Sequence, residues 1–559
     1  MKENRFFADA PAPDPPGAPQ MPPTPESPSQ AFPGAGAWQF EPPKPREPIP
    51  AAPLDGGLAL ALYLAAWFFL RFCWQGWLGL GMLLFTAAFA GAALVYRRWG
   101  GASVPRKSLP WLGVMLLSAA SFPVLDNGLI AWLNLLFLAA VTVYWVAALE
   151  ETRVEDRLGD CLAADLTNQL CIIPFQNFDC WGTVVKNTFA KTTLGKNLFI
   201  GGLSLLCFLP VLWFVCAQLA SVAAGFGEVL WQLGDLVRIE NLLSPITLLA
   251  IPTAFYLFGL LYGCRHKRHT SAFTPEKLAE AAKRRKLLPP AAAYTLLAVL
   301  CLIYTLFFVI GAAELITFTR RGALAPQDYS RFAREGFFEL CRVSVVNLLV
   351  LLGTRLFLND SSQRSSVPTR IFHSLLCCQT LLLIALALCK MGLYIRCCGV
   401  TWLRVSTTWF MALLAVVFGL LLLSQFREIP LTRWTAAAFC ALFLVLCWMN
   451  VDALVVKNAI WRYESLGDAS AISSFALRSH AVAGAPDLYA LWQRESLRED
   501  SPVLPELQRL LTETGERTDS PEYSGSFSQW NLQRAWAYRL THEFLSAQKR
   551  EAARVSGTF

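Results

Sequence analysis

GLIAWLNLLFLAAVTVYWVAAL, running from Gly128 to Leu149, contains no charged side chain. About 20 apolar residues rising 1.5 Å each are enough to carry a helix across the hydrocarbon core of a bilayer. Comparable stretches begin only after residue 56 and recur to residue 449. They are Leu58 to Trp74, Trp77 to Tyr96, Leu109 to Leu125, Leu198 to Ala223, Leu242 to Cys264, Ala291 to Ile316, Phe337 to Leu358, Ile371 to Ile395, Thr407 to Ser424 and Leu431 to Met449. The sequence therefore predicts an all-α polytopic transmembrane helical bundle of about 11 spans over residues 57–449.

Composition points the same way. Hydrophobic residues make up 55% of the chain and charged ones 16%, against roughly 25% charged in soluble domains, and the mean hydropathy is +0.43. The net charge of +8 does not indicate nucleic acid, because the Lys and Arg residues sit beside apolar spans and no helix-turn-helix, finger or basic-aromatic pattern accompanies them. Most of the 16 cysteines fall in or at the edges of spans, where Cys acts as a small hydrophobe. Cys161, Cys171 and Cys180 share a loop, but their spacing does not fit a zinc knuckle and no His lies among them. Neither a metal nor a cofactor is expected.

Two regions flank the bundle. Residues 1–56 hold 16 of the 33 prolines, between Pro11 and Pro53, so a disordered proline-rich tail is expected. Its Pro42-Pro43-Lys44-Pro45-Arg46 segment has the form of a polyproline ligand for a protein partner. Residues 450–559 mix both charge signs with apolar residues at helical spacing, such as Leu488, Leu491, Trp492, Trp536, Leu540 and Phe544. They predict a small extramembrane region of two to four helices, with a loop over Thr512 to Ser528 and a terminal amphipathic helix over Trp530 to Arg554. The region offers a second surface for a protein partner, besides the membrane lipids.

Arg97, Arg98, Arg106 and Lys107 follow the second span, and eight Lys or Arg lie between Arg265 and Lys286. Both loops are expected in the cytoplasm, with the turn around Asp126 outside. Later loops are nearly balanced, so the side of residues 450–559 stays open. Within the run Arg265 to His269, His266 and His269 read as an interfacial cap.

No phosphate loop, nucleophile elbow or His-Glu-x-x-His occurs. Ionisable groups in or near spans are the remaining lead, since a charge in hydrocarbon costs about 2.5 to 3.5 kcal/mol. Glu314 lies near the end of the seventh span, and Glu339 and Arg342 sit three apart in the eighth, positioned to pair inside the bundle. Arg334, Glu339, Lys390 and Arg404 form a candidate polar patch if they converge at one interface.

Four ordered segments resemble a bacterial multi-pass membrane family known as domain of unknown function four-one-seven-three, with its close relative four-one-five-three. They are Tyr256-Leu-Phe-Gly259; Tyr329 to Leu340; Lys390 to Ile395 with Gly399 to Arg404; and Asn450-Val-Asp452-Ala with Asn458, Arg462 and Tyr463. Cys398 and Val451 depart from the aromatic and the proline expected there. The resemblance implies a bacterial cytoplasmic-membrane location and no catalytic residue. A non-enzymatic envelope or regulatory protein is the leading expectation, and a secondary transporter of a small or lipid-like solute the alternative. An enzyme acting on a lipid-linked substrate would have to use the loose group Asp126, Glu228, Asp235 and Glu240.

Overall fold

The computed structural model describes residues 49, 52–74, 78–156, 158–191, 245–320, 337–358, 367–498, 500–520 and 529–555. Among them nine helices are long and apolar enough to cross a membrane. The tail, the expected span Leu198 to Ala223 and the acidic residues Glu228, Asp235 and Glu240 lie outside the described residues.

The chain forms α1 (Pro53–Phe68), prolonged by a π-helical turn Phe69–Trp74, then α2 (Leu80–Trp99), α3 (Leu109–Ser121) and α4 (Gly128–Leu149). The short helices α5 (Leu162–Thr167), α6 (Ile173–Gln176) and α7 (Cys180–Lys191) follow, and then α8 (Pro245–Arg265), α9 (Pro275–Arg285) and α10 (Pro290–Arg320). Next come α11 (Phe337–Phe357), α12 (Val367–Cys398), α13 (Trp402–Phe426) and α14 (Leu431–Trp448). The chain closes with α15 (Val451–Leu466), α16 (Ser474–Leu477), α17 (Ala481–Glu495), α18 (Leu504–Asp519) and α19 (Leu532–Val555).

Three sequence expectations need correction. The proline-rich tail does not extend to residue 56, because α1 begins at Pro53, whose fixed φ suits a first helical position, and the Asp55 carboxylate accepts from the Ala52 N–H at 2.8 Å. The stretch from Thr512 is not all loop: α18 runs to Asp519. Its Leu507, Leu510, Leu511, Thr514, Gly515 and Thr518 share a buried face, and the Thr514 and Thr518 hydroxyls satisfy themselves on the carbonyls of Leu510 and Thr514. The third expected span is a helix of 13 residues, about 20 Å long and short of a full crossing. It still lies antiparallel along α4, since Trp111 meets Tyr144 at 4.6 Å near one end and Ser118 meets Asn134 at 2.6 Å further along.

Antiparallel pairing gives the bundle two distinct ends. Thr354 faces His373 at 3.0 Å and Asn347 faces Thr380 at 2.9 Å, so α11 and α12 run in opposite directions. Leu288 at the head of α10 donates its N–H to Phe357 at the tail of α11. Thr432 at the head of α14 bonds Asp160, in the loop after α4, at 2.5 Å. These contacts gather the loops 97–108, 150–160, 265–289 and 427–432 at one end, the basic end, which carries most of the Lys and Arg of the described loops between spans. The turns 122–127 and 398–401 and the helices from α15 onward lie at the other, distal end.

Two cores divide the membrane part. The first joins α1 to α4, α8 and α14 around Trp145, Phe258, Tyr262 and Phe443; the second joins α10 to α13 around Leu376, Ile384, Met411 and Phe418. Residues 450–559 close a third core around Val456, Leu488, Leu507, Leu511 and Phe544. That region is a helical layer packed on the bundle.

Candidate functional site

The layer is seated on the turn between α3 and α4. Asn531 anchors it: its Nδ2 donates to the carbonyls of Phe122 (2.9 Å) and Leu125 (3.0 Å), while its Oδ1 accepts from Gln533 and Arg534 N–H at 2.9 and 3.3 Å and so caps α19. Leu532 donates its N–H to the Pro123 carbonyl at 2.8 Å. The Arg534 guanidinium meets the Asp126 carboxylate at 2.6 Å with side chains only 7% and 13% exposed, and the Asp126 N–H donates to Gln533 Oε1 at 2.7 Å.

A second polar chain lies beside it. Asn127 caps α4 through Ile130 N–H and donates to Asp452 at 2.7 Å, and the other Asp452 oxygen meets His480 Nδ1 at 2.6 Å. One carboxylate thus links the α3–α4 turn, α15 and the start of α17. A narrow cleft between these groups, lined in part by Asn127, Asn134, Asp452 and Gln533, holds only about 20 Å³ of free space. That is room for roughly one water, so this cleft joins two surfaces and does not enclose a solute.

The turn 398–401 meets the same layer. Gly399 has φ +79°, a left-handed conformation suited to glycine; Asn458 Oδ1 accepts from Val400 N–H at 2.9 Å. The Arg404 guanidinium stacks 4.0 Å from the Tyr394 ring and caps the carbonyls of Cys398 and Gly399. Further out, Arg462 pairs with Asp468 at 2.7 Å. Burial pushes Glu495 up, yet Ser501, Tyr463 and Arg498 together hold it below the usual carboxylate range.

The expected polar patch is distributed differently. Arg334 and the side chain of Glu314 lie outside the described residues. Glu339 and Arg342 do pair, at 2.9 Å, but with side chains 60% and 74% exposed. The pair is not inside the bundle: it stands on an exposed face of α11 in the first two turns, and exposed pairs contribute under about 1 kcal/mol. Lys390 and Arg404 share that distal end, and Arg404 is committed to the turn 398–401.

Residues not singled out from the sequence carry the buried polar contacts. At the basic end, Arg97 bonds Glu150 at 2.9 Å with side chains 7% and 3% exposed, and Arg265 approaches the same oxygen at 3.7 Å. Burial pushes the Glu150 carboxyl up, against the pull of Arg97 and Arg265. Beside them Tyr96 donates to Asp55 at 2.7 Å, and His266 lies 3.5 Å from the same carboxylate. His266 is therefore tied into α1 and α2 as well as capping α8. Within the second core, Asn347 accepts from Tyr304 at 2.6 Å and donates to Thr380, while Gln379 donates to Cys301 and Thr305. Such amides and hydroxyls carry no charge, so neither hydropathy nor charge within a span marks them in the sequence. No group of three or more potential metal ligands occurs among the described residues.

Nine helices among the described residues long and apolar enough to cross a membrane, with a helical layer fixed to one end, define a multi-pass α-helical membrane protein. The chain belongs to the family Domain of unknown function (DUF4153), whose model matches residues 111–486. The matched segment runs from α3 into α17, so it holds Asp126, Asn127, Asp452 and His480 and ends before Asn531 and Arg534. The family named first from sequence resemblance, four-one-seven-three, is not the one matched. No curated protein and no solved structure matches the chain.

Proposed function

We propose that this is a non-catalytic protein of the bacterial cytoplasmic membrane whose C-terminal helical layer is an interaction module on the outer side. The observation that carries the reading is the layer itself: it has its own core, is locked to the bundle through Asp126–Arg534 and Asn127–Asp452–His480, and leaves Phe475 and Leu497 at 94% and 86% exposure. Large uncovered apolar side chains on a rigid support suit a protein partner. Bacterial origin and kinship with family four-one-seven-three belong to this reading and rest on the four ordered segments.

The distribution of loop charge supports the orientation. Arg97, Arg98, Arg106, Lys107 and the run Arg265 to Lys286 share the basic end, whereas the distal turn 122–127 has no Lys or Arg. In a background without accessible thiols, Ser271→Cys should react in spheroplasts only with a membrane-permeant maleimide, and Leu497→Cys with an impermeant one. The reverse pattern would invert the topology.

One observation favours a transporter instead: the buried amides Asn347 and Gln379, with Thr380, form a polar seam between α10, α11 and α12. Complementation of a deletion strain under detergent stress separates the readings. On the interaction reading, Phe475→Ser with Leu497→Ser reaches the membrane at wild-type level yet fails to complement, while Asn347→Ala with Gln379→Ala complements. The opposite pair of results would move the function into the seam.

A further inference from the structure

A different surface, independent of that reading, lies at the basic end. The head of α10 and the tail of α11 leave an open groove of about 420 Å³ lined by Leu287, Leu288, Leu296, Val350, Gly353 and Phe357. Its size falls in the range of small-molecule sites, roughly 300 to 1,000 Å³. Leu287 is strongly exposed, and a Cβ added at Gly353 would meet nothing within 4 Å.

The groove has a charged rim on one side. Immediately before it comes α9, a helix with no buried residue, capped by Thr274 and ending in Lys283, Arg284 and Arg285, followed by Lys286. Arg284 is paired with Glu280 at 2.6 Å. Lys283, Arg285 and Lys286 are exposed, and none has an acidic partner among the described residues. The hydrogen bond from Leu288 N–H to the Phe357 carbonyl, 2.9 Å, ties this run to α11. Thr354 of α11 completes the lining.

We infer that the groove and its cationic rim form a site for an anionic phospholipid, with an acyl chain along Leu288, Leu296, Val350 and Gly353 and the phosphate held by Lys283, Arg285 and Lys286. The physical argument divides the work. An acyl chain gains little by leaving neighbouring chains for an apolar groove, so the groove positions the lipid without selecting it. Selection comes from charge: the groove ends where the chain carries a dense cluster of cations at the membrane surface, and each basic residue near an anionic headgroup favours it by about fivefold. A zwitterionic headgroup brings a cation of its own and forfeits most of that gain. The unfilled space at Gly353 leaves room for the chain where any larger side chain would stand.

Native mass spectrometry of the full chain in detergent, titrated with phosphatidylglycerol or phosphatidylcholine, tests the site. Wild type should retain phosphatidylglycerol over phosphatidylcholine by on the order of tenfold or more at low salt. The variant Lys283→Gln, Arg285→Gln, Lys286→Gln should lose roughly a hundredfold in phosphatidylglycerol affinity and leave phosphatidylcholine unchanged. Gly353→Leu, whose Cβ meets nothing within 4 Å and whose side chain takes up space in the groove, should weaken retention of both lipids while the protein stays monodisperse. Equal retention of the two lipids by wild type, undiminished phosphatidylglycerol binding in the triple variant, or wild-type retention in Gly353→Leu would each overturn the assignment.

Discussion

Glu150→Ala lowers the stability of the bundle by about 3 to 5 kcal/mol. The side chains of Arg97 and Glu150 are 7% and 3% exposed and meet at 2.9 Å, so solvent screens the pair little. Removing the carboxylate leaves Arg97 buried, with the largely exposed Glu151 at 3.6 Å as its remaining acidic neighbour among the described residues, and leaves Arg265, which shared the same oxygen, with its bond to the Gly100 carbonyl. The cost is that of an uncompensated charge, not of one lost hydrogen bond. Arg97→Met combined with Glu150→Leu should therefore recover most of the loss, because two apolar groups of similar volume carry no charge to desolvate. Thermal unfolding in a mild detergent, followed by tryptophan fluorescence, reads all three variants. Equal destabilisation by the single and double changes would mean that packing volume at this end, and not charge, holds α2, α4 and α8 together.

Asn531→Ala releases the C-terminal layer. The substitution removes two bonds to the carbonyls of Phe122 and Leu125 and the cap on Gln533 and Arg534 N–H. A lost cap costs about 0.5 to 2 kcal/mol and each lost bond about 1 kcal/mol, so α19 should open locally with a loss near 3 kcal/mol. Hydrogen exchange should show residues 532–555 deprotected while α4 keeps its protection. Asn531→Asp keeps the capping oxygen but has no amide to donate, and places a carboxylate against two carbonyls; it should undock α19 and leave its first turn capped. Unchanged exchange in both variants would show that Leu532–Pro123 and Arg534–Asp126 suffice.

The sequence was most legible where one property repeats. An apolar run of 18 or more residues has few outcomes other than a spanning helix, so stretches such as Gly128–Leu149 and Ile371–Ile395 could be placed from composition alone. Boundaries were less legible. Asp55 reads as the last charge of a proline-rich tail, and only the arrival of Tyr96 and His266 from α2 and α8 explains its burial. The polar run from Thr512 reads as a loop because its threonines lack an apolar signature; in the structure they bond back to their own helix and pack beneath α19.

The same contrast holds for the sites. Glu339 and Arg342 were visible as a pair because they are three residues apart on one helix, but which face of α11 turns inward depends on where α12 packs. The pairs that are buried join distant residues: Arg97 to Glu150, Asp126 to Arg534, Asn127 to Asp452 and Asp452 to His480. Each residue alone is an ordinary loop or helix-end polar group. By itself the sequence determined the class, the approximate spans and the separation of basic loops from neutral turns, because the bilayer acts on every segment alike through length, hydropathy and charge. Only the tertiary structure decided which helix ends meet, that residues 450–559 sit on the distal end, and which charges are buried, because those outcomes depend on side chains hundreds of positions apart being desolvated together.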